Sequence, residues 1–352
     1  MILLNLVFIN IIFIYLLNKS GFFAKLSNKP FLLNVDINSK HKIHTGNIPR
    51  AGGLLLLIFL SNFIYLNKMN FFNLNLILCL LPFFIIGLFE DIFKSLNPRF
   101  RFFMMFISGC LFIFLLERNY NLPFINFIYL DFFNNSIALK ILFFNLCFLV
   151  LLNGLNFIDG LNGLLIITSL SILLSLNITF DNQIFPYSYL VNFFLYSLLI
   201  IFLLNFPIAR IFMGDLGAYI IGIFLCLYSL LLFSHNPNIR SEIAAIIFFY
   251  PIFEVLFSIL RKLYFRRNPF MPDKSHMHTL LFFYIKKRFN NSTFSNSLST
   301  LLITPLVFYP TILIYYLDLH NTKDILLALI SCILLYFSCY YLINKKIRSF
   351  AS

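Results

Sequence analysis

Residues Leu152–Leu165 read LNGLNFIDGLNGLL. On either side lie FFNLCFLVLL and IITSLSILLSL, both apolar enough for a membrane interior. Three glycines, three asparagines and Asp159 in this stretch suit neither neighbour. Ionisable residues and irregular backbone beside a bilayer are tolerated where protein buries them or water reaches them, and they mark function. The stretch is therefore read as a polar hinge between two spans, with Asn156 and Asp159 turned toward a shared cavity.

Composition supports the spans. The chain has 352 residues, is 61% hydrophobic and 11% charged, and has a mean hydropathy of +0.90. A soluble protein carries about 25% charged residues, so a soluble fold is excluded. The 49 phenylalanines beside no tryptophan read as compositional drift and carry no functional weight. The six cysteines all fall in apolar runs without a CxxC pair and read as small buried residues.

A spanning helix needs about 20 mostly apolar residues. The expected fold class is all-α, a polytopic membrane protein of about eleven transmembrane helices. They fall near 1–18, 51–67, 74–89, 101–117, 137–153, 161–177, 189–205, 211–233, 242–260, 299–317 and 325–343. Residues 1–18 lack a basic leader and an A-x-A site, so they are read as a span that stays. The whole chain, 1–352, is expected to form one transmembrane domain.

Lys and Arg set the orientation. Loops on the side reached after the first span, with the C-terminus, hold 21 of the 26 basic residues, and the opposite side holds five. The N-terminus is thus expected outside and the C-terminus in the cytoplasm. The net charge of +13 is mostly this topology signal. It requires no nucleic acid and suits anionic membrane lipids or phosphate substrates.

Five cytoplasmic loops result, near 19–50, 88–101, 153–163, 205–216 and 261–298. In or beside them lie nine of the twelve glycines, four of the six histidines, and Asp36, Glu90, Asp91, Asp159, Asp215 and Asp273. Each loop has a plain reading: a basic anchor, a solvated helix end, a turn, a helix cap, surface histidines. All five plain readings would have to hold on one membrane face. Carboxylates, glycine turns and basic side chains at a lipid–water boundary suit phosphoryl transfer instead. Carboxylates hold Mg²⁺ together with substrate phosphates, and Lys, Arg and His bind phosphate oxygens. No Walker A sequence is present, and the histidines lack H-E-x-x-H spacing.

The sequence N-F-I-D-G-L-N-G at 156–163, followed by N-F-P-I-A-R-I-F-M-G-D at 205–215, is specific in combination. With HKIHTGNIPRAGG at 41–53, the Glu90-Asp91 pair and PDKSHMHTL at 272–280, it resembles the polyprenyl-phosphate N-acetylhexosamine-1-phosphate transferase family. The IPRAGG form is similar to the branch that starts O-antigen and related surface glycans. The resemblance implies transfer of N-acetylhexosamine-1-phosphate from a UDP-sugar to undecaprenyl phosphate, with UMP released and Mg²⁺, or Mn²⁺, as cofactor. It implies the bacterial inner membrane, an active site on its cytoplasmic face, and a homodimer by analogy.

By motif match, Asp215 would ligate the metal. Asp91, with Glu90, would deprotonate or position the lipid phosphate, and Asp159 would orient nucleotide or metal. Asn156, Asn162, Asn205 and Phe212 would line the nucleotide site, with Phe212 against the uracil. Lys42, His44 and Arg50 would belong to the phosphate-binding loop. His276 and His278 would reach the diphosphate or the sugar. Glu254 sits where relatives often carry an intramembrane Asp, and its role stays open.

The chain departs from the family pattern in four places. Glu90 stands for Asp, Asn162 for the second Asp of D-G-x-D-G, His41 for Arg, and Thr279 for the last His. A transporter or lipid flippase and an inactive paralogue remain the alternatives. A transporter would place charges mid-span and show inverted repeats. Only Glu254 approaches mid-span.

Overall fold

In a computed structural model, the described residues are 48–67, 74–93, 96–127, 130–180, 188–269, 271, 275–317, 319 and 321–349. They form an all-α, multi-pass bundle. In chain order the helices are α1 Gly52–Asn67, α2 Leu74–Phe93, α3 Pro98–Tyr120, α4 Ile137–Ile158, α5 Leu164–Thr179 and α6 Ser188–Asn205. Then come α7 Gly214–His235, α8 Ala244–Ile247, α9 Phe249–Tyr264, α10 Met277–Phe289, α11 Ser292–Tyr316 and α12 Thr322–Ser349. Of the expected spans, 1–18 lies outside the described residues, 242–260 is divided between α8 and α9, and each of the others falls on one of these helices.

Among the described residues, six helices are long and apolar enough to cross a membrane: α2, α3, α4, α7, α11 and α12. The pair containing α8 and α9 is a seventh span if taken together, bent by 77° at Phe248. Three apolar helices are shorter: α1, α5 and α6. Backbone polar groups have no water partner in lipid, so a spanning chain closes its hydrogen bonds within helices.

The centre of the bundle is α7. Its apolar window is 94% buried, against 22–50% for the other long helices. Helices α1, α2, α4 and α5 pack around it. A helix apolar on every side and enclosed by others is a core element, which is why the sequence of α7 shows no polar stripe. Close approach to α7 is made through glycines: a Cβ on Gly87 of α2 would lie 2.7 Å from the Leu216 Cα, and one on Gly53 would lie 2.5 Å from the Gly217 nitrogen. Away from the centre, α5 and α11 are joined by small polar residues. The Thr311 hydroxyl lies 2.8 Å from both Ser171 and Ser175, the kind of contact that replaces hydrophobic association within a bilayer.

Two features differ from the sequence expectation. The polar stretch 153–163 is not a loop throughout. Helix α4 continues to Ile158, and only residues 159–163 form the turn. Asn153 satisfies its amide by donating to the Leu149 carbonyl one turn back, at 2.7 Å. Gly154 lets α4 touch α9, since a Cβ there would lie 2.3 Å from the Pro251 carbonyl oxygen. The connection 261–298 also contains a helix of its own, α10, whose buried residues Met277, Leu281, Phe282 and Ile285 recur at helical spacing.

Candidate active site

The polar residues gather at the N-terminus of α7. The segment before it lies against the segment before α1. Phe212 N–H donates to the Pro49 carbonyl at 2.8 Å, Gly52 N–H to the Phe212 carbonyl at 2.9 Å, and Gly53 N–H to the Met213 carbonyl at 3.0 Å. The I-P-R-A-G-G and F-M-G-D motifs are thus laced together through their backbones.

Helix N-termini leave N–H groups unpaired and carry partial positive charge. Here two carboxylates from other helices satisfy them. Asp91, near the end of α2, accepts from Asp215 N–H at 2.9 Å and Leu216 N–H at 3.0 Å, one on each oxygen. Asp159, which caps α4, accepts from Gly214 N–H at 3.0 Å. Gly214 has φ +73°, and a Cβ there would come within 2.5 Å of the Asp91 carboxylate. Only glycine fits both conditions.

Asp215 itself points away from this cap. Its Oδ2 accepts from Asn156 Nδ2 at 3.1 Å and lies 3.5 Å from Arg101 Nη1. Its Oδ1 lies 3.6 Å from Arg50 Nη1. Arg50 also reaches Asp91 at 3.4 Å, and Arg101 reaches Glu90 at 3.8 Å. The Asp215 side chain is 16% exposed and that of Asp91 3%. Asp215 is therefore the more open of these two carboxylates and the one crossed by two guanidinium groups. Burial opposes the charge on Arg50, but Asp215, Asp91 and Asp159 outweigh it and hold its pKa above the ordinary value. Burial pushes the Asp159 carboxyl well above the usual carboxylate range, with Arg50 opposing.

Asn162 and Asn205 are engaged in holding loops together. Asn205 Nδ2 donates to the Ile211 carbonyl at 2.7 Å, and its Oδ1 accepts from Gly163 N–H. Asn162 N–H donates to Asn296 Oδ1 at 2.7 Å, and its Nδ2 to the Pro207 carbonyl at 3.0 Å. Both side chains are buried. They fix the 159–163 turn against the loop before α7 and against α11.

The histidines form a second cluster. His276 Nδ1 lies 3.0 Å from Glu254 Oε2, and His278 Nδ1 lies 4.0 Å from Glu254 Oε1. The two imidazoles stack at 5.5 Å, and Phe157 lies 5.2 Å from the His276 ring. Burial pushes His278 down to about 4. Lys42 and His44 lie outside the described residues.

The structure thus brings together Arg50, Glu90, Asp91, Asn156, Asp159, Phe212 and Asp215. It places Asn162 and Asn205 behind that group, and His276 and His278 on Glu254. Sequence reasoning missed Arg101, which had been counted only as a topological charge. The signal available was its position one helical turn after Asn97-Pro98, a helix start that aims it back toward the end of α2.

The donor set fits a divalent cation of the magnesium kind. Among the described residues no group of three His, Cys, Asp or Glu side chains is arranged to hold a metal ion by itself. Mg²⁺ seldom uses such a group, and binds through one or two carboxylates with substrate phosphates and water. Asp215 is a partly open oxygen donor of that type, with Glu90 near the same Arg101.

A multi-pass helical membrane protein with carboxylates and guanidinium groups at one buried helix start has recognisable relatives. Residues 73–233 match the model for glycosyl transferase family 4. The chain is 32% identical over 74 residues to an undecaprenyl-phosphate alpha-N-acetylglucosaminyl 1-phosphate transferase of Thermotoga maritima, covering 21% of this chain and 24% of that one. It is 37% identical over 75 residues to a probable undecaprenyl-phosphate N-acetylglucosaminyl 1-phosphate transferase of Bacillus subtilis, covering 21% of each. The matched segments span about a quarter of the length of these curated relatives.

Proposed function

We propose that this protein transfers N-acetylhexosamine-1-phosphate from a UDP-sugar to undecaprenyl phosphate, giving the lipid diphosphate sugar and UMP. The observation that carries the reading is the convergence of Arg50, Arg101 and Asn156 on the partly open Asp215 carboxylate at the start of α7. The names of the two relatives supply the lipid acceptor and the transferred group.

An oxygen of the lipid phosphate attacks the β-phosphorus of the donor. The bond from that phosphorus to the bridging oxygen breaks, and the oxygen leaves with UMP. Such a reaction is catalysed mainly by positioning and by charge stabilisation. Asp215 would hold Mg²⁺, with Glu90 beside it, and the ion when bound would neutralise charge on the diphosphate oxygens. Arg50 and Arg101 balance the carboxylates and are placed to meet phosphate oxygens. Asp91 and Asp159 act on the protein, fixing the start of α7 so that Asp215 projects in one direction. Asn156 orients the Asp215 carboxylate through its amide. We take the transfer to be a direct displacement, as among the described residues no side-chain nucleophile separate from these groups stands at the site. Lys42, His44 and Phe212 complete the donor site in this reading, and His276 and His278 lie on its sugar or diphosphate side.

The 21:5 split of basic residues supports a site on the cytoplasmic face of a bacterial inner membrane. The product suits the first membrane step of a surface glycan, such as O-antigen. A homodimer is proposed by analogy.

The test is UMP release by membranes supplied with undecaprenyl phosphate, Mg²⁺ and a panel of UDP-N-acetylhexosamines. Release should require lipid and metal, and should fall at least about a hundredfold in Asp215→Ala. A folded, inserted protein that releases no UMP from any donor would contradict the reading and favour an inactive paralogue or a transporter.

A further inference from the structure

Glu254 is a buried carboxylate that the mechanism above does not use. It lies on α9, beyond the bend at Phe248, and is 1% exposed. An unpaired carboxylate in such a place is costly. Its partners come from a distant part of the chain: His276, which caps α10, at 3.0 Å, and His278 at 4.0 Å. The buried Tyr250 and Tyr336 hydroxyls complete its surroundings.

The His276 ring has two distinct sides. Nδ1 is taken by Glu254, and among the described residues Nε2 makes no hydrogen bond. The ring also lies against Phe157 at 5.2 Å. Phe157 follows Asn156, which bonds Asp215, and precedes Asp159 by two residues. His276 therefore stands between a buried carboxylate and the segment that builds the site. The hydrogen bond made by one histidine nitrogen decides what the other can do.

We propose that Glu254 is a positioning residue, which turns Nδ1 of His276 inward and thereby presents Nε2 to the diphosphate of the nucleotide-sugar donor. This rests on the transferase reading above. Glu254 itself touches no substrate. It closes one side of the ring so that the other side is available in one orientation, and through His276 it ties α9 and the start of α10 to the end of α4.

The test uses the full-length protein in lipid nanodiscs. Glu254→Met removes the acceptor and retains volume, whereas Glu254→Gln retains an oxygen acceptor for Nδ1–H. Glu254→Met should raise the KM for the UDP-sugar about tenfold, with kcat and the KM for undecaprenyl phosphate little changed, as for a contact made equally in ground and transition states. Glu254→Gln should recover most of the donor affinity. His276→Ala should match Glu254→Met, and the double variant should be no worse than either, since residues acting as a unit are not additive.

Nitrogen-15 histidine spectra of the wild type provide a readout that does not depend on variants folding. They should show His276 protonated on Nδ1, with Nε2 shifting when UDP-N-acetylhexosamine is added. Additive variants, equal rises in both KM values, or an Nε2 signal indifferent to the donor would overturn the role of Glu254 alone. Wild-type protein that releases no UMP from any donor would overturn the transferase reading and this role with it.

Discussion

Two residues at the start of α7 have different tasks, and the difference lies in where their hydrogen bonds go. Asp91 spends both oxygens on backbone N–H groups, whereas Asp215 spends its oxygens on side chains that a substrate could displace. Gly214 between them is fixed by its backbone and by the Asp91 carboxylate. Gly214→Ala should therefore cost about 1–2 kcal/mol from the left-handed backbone alone, and more from the contact with Asp91. We expect a lower thermal midpoint in detergent and a fall in UMP release larger than the loss of folded protein explains. An alanine variant with unchanged midpoint and unchanged turnover would show that the Gly214 conformation is dispensable.

At the same scale, residue type was a good guide to chemistry and a poor guide to partner. Asp91, Asp159 and Asp215 stood out because carboxylates beside glycine turns are rare in so apolar a chain. Asn162 and Asn205 stood out for the same reason, yet their amides hold loops together. An amide suits a nucleotide or a backbone carbonyl equally well, and one sequence does not say which is near. Arg101 was hidden because positive charge at a membrane boundary already had an explanation.

At the scale of elements, hydropathy made the helices legible and their ends obscure. Polar residues suggested that the fifth span stops at about residue 153, yet α4 runs to Ile158. Asn153 returns its amide to its own helix, so polarity there does not end the helix. The bend between α8 and α9 likewise leaves no glycine or polar break at Phe248 for a sequence to show. The α4–α9 contact it permits depends on Gly154 against the Pro251 carbonyl. Gly154→Val should force the two helices apart, at about 1–3 kcal/mol for overpacking, and shift the adjacent Asn156 and Phe157 relative to their partners Asp215 and His276. The check is a lowered thermal midpoint together with a raised KM for the donor. A valine variant with wild-type values for both would mean that α4 and α9 do not meet so closely.

For the molecule as a whole, one helix organises the rest. The buried α7 receives α1, α2, α4 and α5, and its first turn is where the motifs at 49–53, 90–91, 156–159 and 212–215 meet. Residues spread over more than 160 positions of sequence become neighbours because each sits at the same end of a helix packed on α7. That arrangement was legible as a set of loops on one membrane face, since the alternation of spans fixes which loops share a side. The order of the helices around α7 was not legible, because lipid-facing and helix-facing apolar residues look alike in composition.

The proposed reaction breaks the bond between the β-phosphorus and the bridging oxygen of the donor. A UDP-N-acetylhexosamine radiolabelled at its β-phosphorus, incubated with the protein, undecaprenyl phosphate and Mg²⁺, tests it directly. The label should move into the organic-extractable lipid while the released UMP carries none. Label that stays in a water-soluble product, or a lipid product that carries the sugar without the β-phosphorus, would contradict it.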